Sequence, residues 1–259
     1  MANITRNAKS GSDWTANELL SYNIKIVEQS FAHFFQAADL PPLSEGTRSF
    51  VETLDRAAAK QANDKDTYKL LNHLDLAHNP EVGQEAAVDR FADVLLEKLG
   101  YTSGFRITLT RQSFPLLICG SNCKARTNVC ICDENDILLF VQVDKCLDND
   151  VDPEPQLIAV AVAAYQCNNR IRQGDLGLPI LEEIIFPAIT LVGTFPTFYK
   201  IKVTSALNDA VVTGTYPGAE TIVFRHIPQL PYRNSEGMKP LENRNVIIRY
   251  LEAFRQFVH

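Results

Sequence analysis

The run from Leu157 to Tyr165, L-I-A-V-A-V-A-A-Y, constrains this chain more than any other segment. Asp152-Pro153 opens a helix with an N-cap residue and a proline at the first helical position, Gln156 to Ile171 continues it, and Gly174 stops it. A helix that is apolar on every side has to be covered all round, which places it against a sheet inside the core. The neighbouring sequence supplies that sheet. Phe105 to Cys119 is β-rich and Gly120 to Arg126 reads as a turn. The strands Thr127 to Cys132 and Ile137 to Asp144 follow, joined by Asp133-Glu134-Asn135-Asp136. Beyond the helix, Pro187 to Val192 and Thr197 to Val203 read as two more strands around a Gly193 to Pro196 turn.

Ahead of these strands, Val82, Ala86, Val88, Phe91, Val94, Leu95 and Leu99 recur near helical spacing. Gly100 closes that helix, and Glu85 lies near its start. Trp14 to Phe35 reads as a helix, an extended turn and a short helix, and Pro41-Pro42 ends it. Ser44 to Leu76 reads as one or two surface helices, and Asn243 to His259 as a closing amphipathic helix. The expected fold class is therefore α/β (α+β), with a central mixed sheet of about five strands. Its core order is helix, three strands, helix, strands. Residues 1–79 form an N-terminal helical extension packed on a core of 80–259, the two making one structural unit.

At 259 residues the chain can bury a full core. Its net charge of −6 argues against a generally basic nucleic-acid-binding surface. Charge is unevenly spread, however: Lys98, Arg106, Arg111, Lys124 and Arg126 occur between Lys98 and Cys132 without one acid. Arg111, Lys124 and Arg126 are the candidates for contact with phosphate. No stretch approaches the about 20 apolar residues of a membrane span. The first residues lack a secretory apolar run. With cysteines in strand-like or helical settings, the sequence reads as an intracellular protein, cytoplasmic or nuclear, with reduced thiols.

Several short stretches carry a family likeness: Ser10-Gly11-Ser12-Asp13-Trp14, Asn17-Glu18-Leu19-Leu20, Ile118-Cys119-Gly120, Thr127-Asn128-Val129-Cys130, Asp144-Lys145, Glu154-Pro155-Gln156, Ala163-Ala164-Tyr165-Gln166 and Pro196-Thr197-Phe198-Tyr199. Together they span nearly the whole chain, which resembles the PD-(D/E)XK nuclease-like superfamily and, within it, a group of proteins of mushroom-forming fungi. The resemblance implies a helix, three strands, helix and strand core holding magnesium or manganese with carboxylates. The metal would activate water for phosphodiester hydrolysis and a lysine would assist. By position the helix acid is Glu85 and the lysine Lys145. The second-strand acid falls on Asn128, and the acid two before the lysine falls on Val143. Side chains alternate along a strand, so Val143 shares the face of Lys145, and Asp144 joins them only through a bulge.

Two substitutions remove two negative charges from a site whose cation affinity depends on them. The expectation is a nuclease fold with a degenerate metal site, inactive or weakly active, with a binding or interaction role. Nucleic acid met through the local basic strip is one candidate partner. The alternatives are an active magnesium-dependent deoxyribonuclease-type phosphodiesterase with a rearranged site (Lys145, Glu85, Asp144, with Glu85 and Asn128 as metal ligands), and a non-enzymatic defence or storage protein. Cys119, Cys123, Cys130 and Cys132 read as strand hydrophobes rather than a zinc site, because Cys130 and Cys132 are separated by one residue on one strand face.

Overall fold

The computed structural model describes residues 6–78, 86–134, 136–144 and 152–258. Its strands are β1 (Ile24–Glu28), β2 (Arg106–Ile118), β3 (Ser121–Asp133), β4 (Asp136–Asp144), β5 (Glu183–Val192), β6 (Phe195–Thr204) and β7 (Thr221–His226). They form one mixed seven-stranded sheet in the order β1-β7-β6-β5-β4-β3-β2. β2, β3 and β4 are an antiparallel meander and β5 runs parallel to β4. β6 and β7 return antiparallel, and β1 pairs parallel with β7 at the far edge.

Helices cover both faces. On one side α1 (Ala16–Ser21), α7 (Glu154–Gly174) and α8 (Ser205–Thr213) pack with a 3-10 turn at Gly11–Asp13. On the other lie α2 (Phe31–Phe35), α3 (Glu45–Glu52), α4 (Arg56–Gln61), α5 (Lys65–His78), α6 (Ala86–Lys98) and α9 (Leu241–Phe254). Every residue of α7 from Leu157 to Ala164 is at most 1% exposed, as its all-round apolar run requires. The helix begins at Glu154 with Pro153, rather than Asp152, at the N-cap and no side-chain cap, while the Asp152 carboxylate accepts the Glu154 N–H at 3.0 Å just ahead of it. Gly11 lets the N-terminal turn approach this layer: a Cβ there would lie 2.9 Å from Ala125 Cβ and 3.2 Å from Ala159 Cβ.

The class matches the expectation, but the sheet has seven strands where about five were expected. The sequence of β1 reads as an extended turn, because its five residues include Lys25 and Glu28 and leave too few apolar positions to establish a period. β7, T-I-V-F-R-H, went unassigned, as did α8 before it. Gly120 to Arg126 is mostly strand rather than turn. Cys119 (φ 49°) and Gly120 (φ 72°) form a two-residue connection with both residues left-handed, the form that suits strand twist, and Ile118 pairs directly with Ser121. Nor are the helices of Ser44 to Leu76 merely superficial: Phe50, Leu70, Leu71 and Leu74 are buried in the core. Residues 24–28 of the N-terminal extension belong to the sheet itself.

Candidate functional site

The β2–β3 pair contains one irregularity, and the site lies on it. Pairing runs Thr110↔Val129 and then Gln112↔Thr127, with Arg111 and Asn128 facing each other between. Arg111 has φ 53°, a left-handed conformation that is costly for a residue with a Cβ. The pleat inverts there in both strands. Before the irregularity Leu109, Cys130 and Cys132 face the α7 layer; beyond it the α7-facing residues are Phe114, Leu116, Ile118, Ala125 and Cys123. This parity change turns Asn128 toward α6.

Asn128 Nδ2 donates to Asp89 Oδ1 of α6 at 2.9 Å, while Asn128 Oδ1 accepts the Val143 N–H of β4 at 2.9 Å. Arg111 Nε donates to Asp89 Oδ2 at 3.1 Å, and the Asp89 side chain is only 4% exposed. One amide thus ties α6, β3 and β4, and one guanidinium closes the other carboxylate oxygen. Thr127 Oγ1 reinforces the junction by donating to the carbonyls of Val129 and Val141. One turn along α6, Asp93 is also buried and pairs with Arg90 at 2.5 Å.

Of the residues singled out from the sequence, Asn128 and Val143 come together. The Val143 side chain is 7% exposed and belongs to the apolar layer of Val129, Val141 and Leu191, on the α6 face. Glu85, Lys145 and the side chain of Asp144 lie outside the described residues. Arg111 spends its guanidinium on Asp89, whereas Lys124 and Arg126 are exposed on β3. Ala125 between them points into the α7 layer, so both cations occupy the opposite face, the side of α6. Asp89 was missed by the sequence reading. Its spacing of four residues from Glu85 in the sequence was the available signal.

These residues do not fit a hard divalent cation, which needs several free oxygen ligands. Both Asp89 oxygens and the Asn128 oxygen are engaged within the protein. No group of three or more metal-ligating side chains occurs among the described residues. Cys130 and Cys132 have sulfurs 3.8 Å apart in the α7-facing layer, as strand hydrophobes on one face should. Their mutual hydrogen bond, then burial, pushes the Cys130 thiol up, so it stays protonated.

A second polar group crosses the opposite sheet face at the carboxyl ends of β4 and β5. Glu154 Oε1, at the start of α7, accepts from Tyr199 Oη at 2.9 Å and from Arg225 Nη1 at 2.9 Å. Arg225 Nη2 reaches Glu28 at 3.1 Å. Gln142 and Thr190 are register partners in the same region, and Gln142 Oε1 is buried without a partner among the described residues. Burial, then the charge of Glu154, raises Tyr199 far above the ordinary phenol range, so it remains a donor. Although burial opposes its charge, hydrogen bonding to Glu154 raises the pKa of Arg225. This network joins two of the sequence stretches, Glu154-Pro155-Gln156 and Pro196-Thr197-Phe198-Tyr199. A third, ending in Gln166, is structural: its amide donates to and accepts from the backbone of Leu117 on edge strand β2.

No protein-family model matches this chain, and comparison with curated protein sequences finds no match. Among the described residues, no helix is long and apolar enough to cross a membrane.

Proposed function

We propose that this chain is a PD-(D/E)XK-like protein whose metal site is closed by internal pairing, and that it acts by binding rather than by phosphodiester hydrolysis. The order α6, β2, β3, β4, α7, β5, with an antiparallel meander and β5 parallel to β4, supports the fold reading. One observation carries the functional reading: the chain of contacts Arg111 to Asp89 to Asn128 to the Val143 N–H takes up the oxygens a cation would need. An amide at 128 and an apolar side chain at 143 provide no charge to compete for that cation. Nucleic acid is the partner class that suits the exposed Lys124 and Arg126, because a local cationic strip can meet phosphate even on an acidic protein.

The test is incubation with plasmid, single-stranded DNA and RNA in magnesium or manganese, beside Lys145→Ala, with binding followed at two salt concentrations. Expected are no cleavage, and salt-sensitive binding weakened by Lys124→Glu with Arg126→Glu. Cleavage that Lys145→Ala abolishes would overturn the closed-site reading. Binding indifferent to the two glutamates would overturn the basic-strip assignment.

A further inference from the structure

Strand β6 turns Ile201 and Val203 into the α7 layer and therefore presents Lys200 and Lys202 on the other face. There Lys200 lies between its register partners Pro187 and Phe224, and Lys202 beside Ile185. The helices on this side leave a cleft of about 640 Å³ over these positions, within the roughly 300–1,000 Å³ of small-molecule sites. Its apolar wall includes Ile185, Ile222 and Phe224. Ile185 is 55% exposed and Ile222 39%, unusual for strand isoleucines in the middle of a sheet.

The two lysines differ. Lys202 is neutralised by Glu183 at 2.6 Å. Lys200 donates to the Phe34 carbonyl at the end of α2, and its ammonium lies 3.7 Å from the Phe257 ring centroid and 4.6 Å from that of Phe34. The rings favour the cation, and burial pulls its pKa down. Lys200 thus brings to the cleft a positive charge that no side chain among the described residues neutralises.

We propose that this cleft binds an acyl carboxylate, its head group at Lys200 and its chain along Ile185, Ile222 and Phe224. A monoanion fits better than a phosphate dianion. One uncompensated lysine is present beside the paired Lys202. The lining's other polar groups are the amides of Gln29 and Gln36, the hydroxyls of Thr204 and Thr221 and the His33 ring, whose Nδ1 pairs with Ser30 Oγ, and Glu220 opposes further negative charge. The site is separate from the Asp89 junction and does not rest on its interpretation.

Isothermal titration of the full chain with dodecanoate, kept below its micelle concentration, tests this, with acetate, dodecanol and dodecyl phosphate alongside. Dodecanoate is expected to bind, acetate and dodecanol to bind at least about tenfold more weakly, and Lys200→Met to lose at least about tenfold in dodecanoate affinity. Because Lys200 also anchors α2, Ile185→Glu at the exposed rim serves as a second variant. It should melt like the parent and lose dodecanoate to a similar extent. No binding by the parent, or undiminished binding by a folded Lys200→Met or Ile185→Glu, overturns the proposal. Tighter binding of dodecyl phosphate than of dodecanoate overturns the carboxylate assignment.

Discussion

Replacing Asn128 by aspartate tests the closed junction directly. The substitution removes a hydrogen bond to a charged acceptor, Nδ2 to Asp89 at 2.9 Å, worth about 1.5–3 kcal/mol. It also sets carboxylate against carboxylate at that contact. Two unit charges about 4 Å apart at an effective dielectric of about 20 repel by about 4 kcal/mol. Arg111, 3.1 Å from the other Asp89 oxygen, offsets part of this. The net destabilisation of Asn128→Asp at neutral pH should therefore be about 3–5 kcal/mol. Repulsion raises the pKa of the introduced carboxyl above its unfolded value of about 3.9. Between those two values the folded state holds the extra proton, so stability falls as pH rises, and below about pH 4 the repulsive part of the loss disappears. Urea denaturation in chelator at about pH 4 and about pH 7 measures both limits. Adding Val143→Glu places a further acid at the junction, and calorimetry with manganese or calcium should then register stronger binding than by the parent. An Asn128→Asp variant as stable as the parent at neutral pH would refute the pairing argument.

Two further predictions concern the helical layer that supports α6. Arg244 is 1% exposed and donates to the carbonyls of Met238, Phe50, Thr53 and Lys239 at 2.8–3.2 Å; Arg244→Met should cost about 3–5 kcal/mol by urea denaturation, since several buried acceptors lose their donors together. A loss below about 1 kcal/mol would mean that water replaces the guanidinium. His226 is 5% exposed, with Nδ1 2.9 Å from the Gln29 carbonyl oxygen, Nε2 unpartnered, and Phe31, Phe34, Phe35 and Tyr250 around the ring. Burial lowers its pKa, so its contribution is present above the unfolded value of about 6.5 and is lost as pH falls through and below it. His226→Phe should make stability less steep between about pH 7.5 and pH 5.5, the remaining slope including His73 and His78, which burial also lowers. An unchanged slope would contradict the assignment to His226.

The sequence disclosed α7 within a residue or so, because an uninterrupted apolar run and a terminal glycine agree there, although the N-cap is Pro153 rather than Asp152. It disclosed the β3–β4 hairpin for a similar reason. Ser121 to Arg126 failed because Asn122, Lys124 and Arg126 gave a polar impression, although Cys123 and Ala125 carry the inward face. β1 and β7 failed because each needs the other: they pair across nearly the whole chain, and neither has a strong local period. At the junction, strand alternation places Val143 with Val141 on the α6 face, and the side chain of Asp144 lies outside the described residues. Alternation gave no warning that β2 and β3 change parity at Arg111 and Asn128, where the left-handed φ of Arg111 marks the inversion. Asp89 escapes the sequence reading for a different reason: the resemblance places the helix acid at Glu85, and the acid that meets Asn128 is Asp89, four residues on, in the first turn of α6.

The amide at 128 is therefore more than a ligand that has lost its charge. It has to donate to Asp89 and accept from the Val143 N–H at once, which an ionised carboxylate cannot do because it has no donor. Given Asp89 buried at 4% side-chain exposure and the parity change that brings Arg111 to its other oxygen, asparagine satisfies every polar atom that the junction presents to it. A carboxylate at 128 is compatible with the same backbone only if a proton or a cation comes between it and Asp89. The residues at 89, 111 and 128 are thus mutually dependent, and an acid at 128 favours a cation the more once the Arg111 contact is released. The strained backbone at Arg111 has a structural explanation in the same dependence: its guanidinium compensates the one buried carboxylate that the asparagine alone would leave half paired.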